Sequence, residues 1–79
     1  MKTILSIMKE YMSKDLNREY TFDEIFEQVE KNLSHEWVKN NSMDFDDIIN
    51  KKKGETYKLL TIDGSFIRND DGTFMLKRN

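Results

Sequence analysis

Seventy-nine residues, 37% hydrophobic and 35% charged, suffice for one domain spanning 1–79 and leave no room for two. The absence of cysteine excludes a disulfide framework and a thiolate metal site, and no apolar run approaches the ~18 residues that span a bilayer. The net charge of −2 is unevenly spread: residues 1–50 hold 6 Lys/Arg against 11 Asp/Glu, whereas residues 51–79 hold 7 against 4, so an acidic first part precedes a basic last part.

The first predicted element is an amphipathic helix from about Thr3 to Ser13, with Ile4, Ile7, Met8, Tyr11 and Met12 at helical spacing and Lys9 and Glu10 opposite. A polar connection, Lys14 to Glu19, follows with Leu16 as its one apolar residue. Thr21-Phe22-Asp23-Glu24 then has the form of a capping box. The Thr21 hydroxyl accepts the third amide of the helix, and Glu24 reaches back to the Thr21 amide. Tyr20 before the cap and Ile25 inside the helix are placed to close a hydrophobic staple. Phe22, Ile25, Phe26, Val29 and Leu33 make the apolar stripe of this second helix.

Ser34-His35-Glu36-Trp37 reads as a new N-cap that opens a short third helix, broken at Asn40-Asn41-Ser42. Phe45, Ile48 and Ile49 mark another short helix, capped by Ser42 or Asp44 and ended by Lys51-Lys52-Lys53-Gly54 with Gly54 as the C-cap glycine. Helical spacing resumes from Glu55 to Ile62, with Tyr57, Leu60 and either Leu59 or Thr61 facing inward, and stops at Asp63-Gly64. The last element is a β-hairpin, Phe66 to Arg68 against Thr73 to Lys77, joined through Asn69-Asp70-Asp71-Gly72. Gly72 in its loop and Gly64 at the helix end are both expected at positive φ. The fold class expected is α+β: a winged helix-turn-helix of three or four helices and a C-terminal hairpin wing, with room for a short third strand between helices.

No catalytic constellation is visible. The lone histidine, His35, reads as a surface residue rather than a base or ligand. Asp44-Phe45-Asp46-Asp47 and Asp70-Asp71-Gly72 lack calcium-loop spacing, and turn and cap chemistry accounts for them. No metal, no cofactor and no enzymatic activity are therefore expected. Trp37 reads first as core, with an interface anchor as its alternative. The candidate partner or nucleic-acid surface is the basic set Lys51, Lys52, Lys53, Lys58, Arg68, Lys77 and Arg78, on the third core helix and wing, where winged helices approach phosphates. Residues 55–62 carry no Arg, Asn or Gln to read base edges, so any nucleic-acid binding is expected to be weak and non-specific.

The residues Tyr20-Thr21-Phe22-Asp23-Glu24-Ile25, Leu59 to Ile67, and Asp71-Gly72-Thr73-Phe74-Met75-Leu76-Lys77 resemble the N-terminal domain of the bacterial RNA polymerase delta subunit and its wider helix-turn-helix (HARE-HTH-like) family. Three departures stand out: Ser65 where the family usually has Arg, Phe74 where it usually has Trp, and a longer middle from Asn40 to Lys53. The resemblance implies a non-catalytic accessory domain that docks on core RNA polymerase in the cytoplasm. It further implies a long acidic tail after the folded domain, whereas these residues end at Lys77-Arg78-Asn79. A cytoplasmic setting also fits the lack of a signal-peptide pattern, and the isolated domain is expected to be a monomer with no membrane partner. Two rival readings are a DNA-binding regulator using the basic helix and wing, and a protein-interaction module using Trp37 and the acidic face.

Overall fold

A computed structural model of the chain describes residues 2–39 and 44–77. In chain order it has helix α1 (Ile4–Met12), helix α2 (Phe22–Lys39), helix α3 (Phe45–Ile62), strand β1 (Phe66–Arg68) and strand β2 (Phe74–Leu76). The arrangement is α+β, three helices followed by a two-stranded antiparallel hairpin, as a winged helix with a C-terminal wing requires. Each element sends side chains into one core: Ile7, Met8 and Met12 from α1, the stripe of α2, Ile48 and Leu60 from α3, and Phe66 and Phe74 from the strands.

Helix α1 opens with its own capping box, in which Thr3 Oγ1 accepts the Ser6 amide at 3.1 Å and Ser6 Oγ accepts the Thr3 amide at 2.9 Å. The box at α2 forms as its sequence predicts. Glu24 N–H donates to Thr21 Oγ1 at 3.2 Å, and Thr21 N–H donates to Glu24 Oε1 at 3.1 Å. Tyr20 and Ile25 are both buried in the same core, as a hydrophobic staple requires. Arg18 adds an ion pair to Glu24, and its guanidinium lies 4.6 Å from the centre of the Tyr20 ring.

The bond from the Thr21 amide, then the Thr21 hydroxyl and Arg18, hold the Glu24 carboxyl below its ordinary value of 4.5. A depressed carboxylate contributes stability that is present above its unfolded pKa and lost as pH falls through its folded one. Thr21→Ala removes the hydroxyl that caps the Glu24 amide and is expected to cost about 1 kcal/mol near neutrality, as N-cap losses do. The deficit should narrow as pH drops below the ordinary glutamate value. Urea titrations of both forms at two pH values check this, and equal midpoints near neutrality would place the helix start elsewhere.

Helix α2 runs without a break to Lys39, which corrects the expected N-cap at Ser34. The apolar stripe explains why. From Leu33 the next inward position four residues on is Trp37, and both are buried, so the burial pattern carries the helix through Ser34. Ser34 also lacks the Glu or Gln three residues later that completes a capping box, since Trp37 stands there. The break expected at Asn40-Asn41-Ser42 and the cap offered by Ser42 lie outside the described residues.

Helix α3 is likewise continuous, which corrects both the C-cap assigned to Gly54 and the division into two short helices. Asp44 is its N-cap by backbone geometry, with no hydrogen bond from its side chain to the helix amides. Ile48, Thr56 and Leu60 are buried along one face, and the Thr56 hydroxyl satisfies itself on the Lys52 carbonyl at 2.8 Å. Thr56 therefore takes an inward place expected of Tyr57, which is 42% exposed, while Leu59 is packed against the core and Thr61 is exposed. Gly54 lies on the outer face with no atom within 4 Å of where a Cβ would stand.

Asp63 ends α3 in an extended conformation (φ −70°, ψ 127°), and its carboxylate accepts the Ser65 amide at 2.8 Å. That bond holds the Asp63 carboxyl below its ordinary value and turns the chain without a left-handed residue. The expectation of positive φ at Gly64 is thus corrected. Among the described residues Gly72 alone has positive φ, at 86°.

The hairpin register pairs Phe66 with Leu76, Ile67 with Met75 and Arg68 with Phe74. Gly72 donates to the Asn69 carbonyl at 3.0 Å, and Asp71 accepts both the amide and the hydroxyl of Thr73, at 3.0 and 2.6 Å. In place of a third strand, Tyr20 forms a single antiparallel bridge to Phe74, with reciprocal amide-to-carbonyl bonds of 2.9 and 2.8 Å. One residue thus ties the start of α2 to the wing.

Candidate functional site

The basic residues do not form one patch. At 3.6 residues per turn, Lys51 and Lys58 differ by only about 20° around α3, whereas Lys51 and Lys53 lie about 160° apart. Lys51 and Lys58 are exposed. Lys52 and Lys53 instead lean over rings of α2: Lys52 Nζ is 5.9 Å from the centre of the Trp37 ring, and Lys53 Nζ is 5.7 Å from that of Phe26. Lys52 also pairs with Glu55 at 3.3 Å, which leaves it the least available of the run. Arg68 ends β1 and is exposed, as is Lys77 just past β2, and Arg78 lies outside the described residues.

Beneath these lysines is a chain of aromatic rings. Phe22 and Phe26 are stacked at 6.0 Å, and Phe26 and Trp37 at 6.1 Å. Tyr57 presents an edge to both Phe22 and Phe74, at 5.9 and 6.3 Å. Trp37 is 6% exposed, so its side chain belongs to the core. Lysine stems over these faces shield apolar surface while their charge stays in water.

The start of α3 has the opposite sign. Asp44, Asp46 and Asp47 are all exposed there. In a helix-turn-helix the N-terminal residues of the recognition helix are those that meet base edges. Three carboxylates at that end repel a phosphate backbone. Because α3 begins ten residues before the segment 55–62, its outer face also gains the exposed Asn50, a side chain able to read adenine.

Compared with known protein families, curated proteins and solved structures, the chain matches none of them.

Two open clefts bring in cations from outside that basic set, Lys2, Lys14 and Lys31 in one and Lys9 in the other. One, of about 230 Å³, lies between α1 and α2 and is bordered by Lys2, Lys14 and Lys31. The other, of about 310 Å³, sits where α1 meets the base of the wing, between Lys9 and Lys77. The lysines of the first are far apart in sequence and come together only when the helices pack. Lys2 and Lys14 flank the two ends of α1, and Lys31 lies on the polar side of α2. His35 is exposed on α2, and no cluster among the described residues suits a metal ion. No helix among them is long and apolar enough to cross a membrane.

Proposed function

We propose that this domain is a non-catalytic accessory module of bacterial RNA polymerase, delta-subunit-like, that works in the cytoplasm by docking on the core enzyme through one exposed face. The motif resemblance motivates the polymerase, and the helix order followed by a hairpin wing agrees with it. The observation that carries the choice of a protein partner over DNA is the acidic start of α3, which sets Asp44, Asp46 and Asp47 where a recognition helix would meet the duplex. The outer surface also offers apolar anchors of the kind protein interfaces use: Ile62 is 69% exposed, Val38 53%, Phe45 45% and Ile67 42%.

A DNA-binding winged helix is the second reading, favoured by the exposed Asn50, Lys51 and Lys58 on α3 with Arg68 on the wing. The third, an interaction module anchored by Trp37, loses its anchor to the core.

Two titrations at ~0.15 M salt separate the first two readings, since a duplex contacted through phosphates alone weakens steeply with salt and apolar anchors do not. The expected result is polymerase binding that persists, with affinity for a mixed-sequence duplex of about 10⁻⁴ M or weaker. Micromolar, sequence-selective duplex binding without polymerase binding would promote the DNA reading, and its loss in Lys58→Glu or Arg68→Glu would locate the contact.

A further inference from the structure

The cleft between α1 and α2 is lined by Lys2, Lys14 and Lys31 against a single carboxylate, Glu10. It lies in the half of the chain that carries the excess of acidic residues, yet its own lining holds three lysines to one carboxylate. None of the three lysines has an ion-pair partner among the described residues, where the ion pairs are Arg18–Glu24 and Lys52–Glu55. The remaining polar wall is made of Tyr11, Gln28 and Asn32, with Ile7 behind them. The Asn32 side-chain amide donates to the Gln28 backbone carbonyl at 2.7 Å, which fixes the Asn32 side chain against its own helix.

We propose that this cleft is an anion site for a compact phosphate or diphosphate group, free or as the end of a small phosphate ester. Size supports it: about 230 Å³ is below the ~300 Å³ at which pockets for drug-sized molecules begin, yet equals the liquid volume of several waters at ~30 Å³ each. Donor chemistry supports it too. Lysine ammoniums are point charges with three rotatable donors, suited to a tetrahedral oxyanion approached from several sides. A planar carboxylate is matched better by the arginine fork, which this cleft lacks. The cleft is open to solvent, so its ammoniums stay hydrated and weak binding is expected. The site is independent of the polymerase reading, because it uses neither α3 nor the wing.

The Gln28 and Asn32 side-chain amides and the Tyr11 ring are reporters inside the cleft, readable by NMR on the intact 79-residue chain. Inorganic pyrophosphate is titrated at constant ionic strength, with chloride as the matched control. The expected result is saturable shifts confined to these reporters and the flanking amides of α1 and α2. Lys14→Gln/Lys31→Gln, both exposed and hence harmless to folding, should weaken binding at least fivefold while the rest of the spectrum is unchanged. A parallel titration with a nucleoside diphosphate distinguishes the sources: tighter binding assigns the site to phosphate esters, equal or weaker binding to the free anion. Shifts that rise linearly, that spread to Lys51 and Lys58, or that survive the double substitution would overturn the site.

Discussion

Phe74→Ala is expected to remove about 3–5 kcal/mol, the range for a buried phenylalanine cut to alanine. A 79-residue domain has about 4–12 kcal/mol in total at 0.05–0.15 kcal/mol per residue, so this single change leaves the fold marginal or lost. The position concentrates three connections. Its ring is 1% exposed and meets the edge of Tyr57 from α3. Its backbone N–H and C=O both bond to Tyr20 ahead of α2, and it faces Arg68 across the hairpin. The Tyr20 ring, 2% exposed, meets Tyr11 of α1 at 5.0 Å, so the wing is coupled through two residues to every helix. Met75, the next residue, is half-buried on the outer face of the hairpin opposite Ile67, and Met75→Ala should cost far less. Thermal melts followed by circular dichroism compare the two. At ~4–8 °C per kcal/mol, Phe74→Ala should lower the midpoint by more than about 12 °C, if a cooperative transition remains at all. A similar small shift for both variants would mean that the hairpin register, and with it the inward face of β2, is misassigned.

The features legible in the sequence were those with a local cause. The Thr21 box is set by four consecutive residues, and the left-handed Gly72 by a loop that closes on itself through Asn69. Ser34 and Gly54 misled for the same reason. Their preferences are local and worth ~1 kcal/mol or less, whereas each buried aliphatic or aromatic side chain further along the helix contributes about 1.5–3 kcal/mol. Trp37 beyond Ser34, and Leu60 beyond Gly54, therefore decide the outcome. Gly64 failed differently, since the Asp63 carboxylate performed the turn that a left-handed glycine was expected to make. As for the candidate site, the basic run at Lys51, Lys52 and Lys53 was legible as charge but not as geometry, because a helix sends adjacent residues about 100° apart. Two of the three then found aromatic faces to cover. The cleft of Lys2, Lys14 and Lys31 depends wholly on how α1 packs on α2, which no window of sequence contains.

Trp37→Ala should also cost about 3–5 kcal/mol, because truncating a buried indole leaves a cavity as well as removing its transfer energy. The indole is stacked on Phe26 with 19° between the planes and covered by Lys52, so its loss also exposes the Phe26 face and detaches α3 from the end of α2. The substitution bears on two conclusions at once. It asks whether Trp37 serves the core or a partner, and whether α2 holds together beyond Ser34. As the sole tryptophan it reports directly, since a buried indole should emit at shorter wavelength in the folded chain and shift red on unfolding. Trp37→Phe should recover most of the stability by restoring a ring against Phe26. The same variants are then tested for partner binding under conditions where they remain folded. If Trp37→Ala melted like the parent and lost a partner instead, the anchor reading would displace the core reading. If it lost stability while amide exchange in residues 34–39 rose to the level of an unfolded chain, the helix past Ser34 would be shown to exist because Trp37 is buried, which is the outcome expected from the packing.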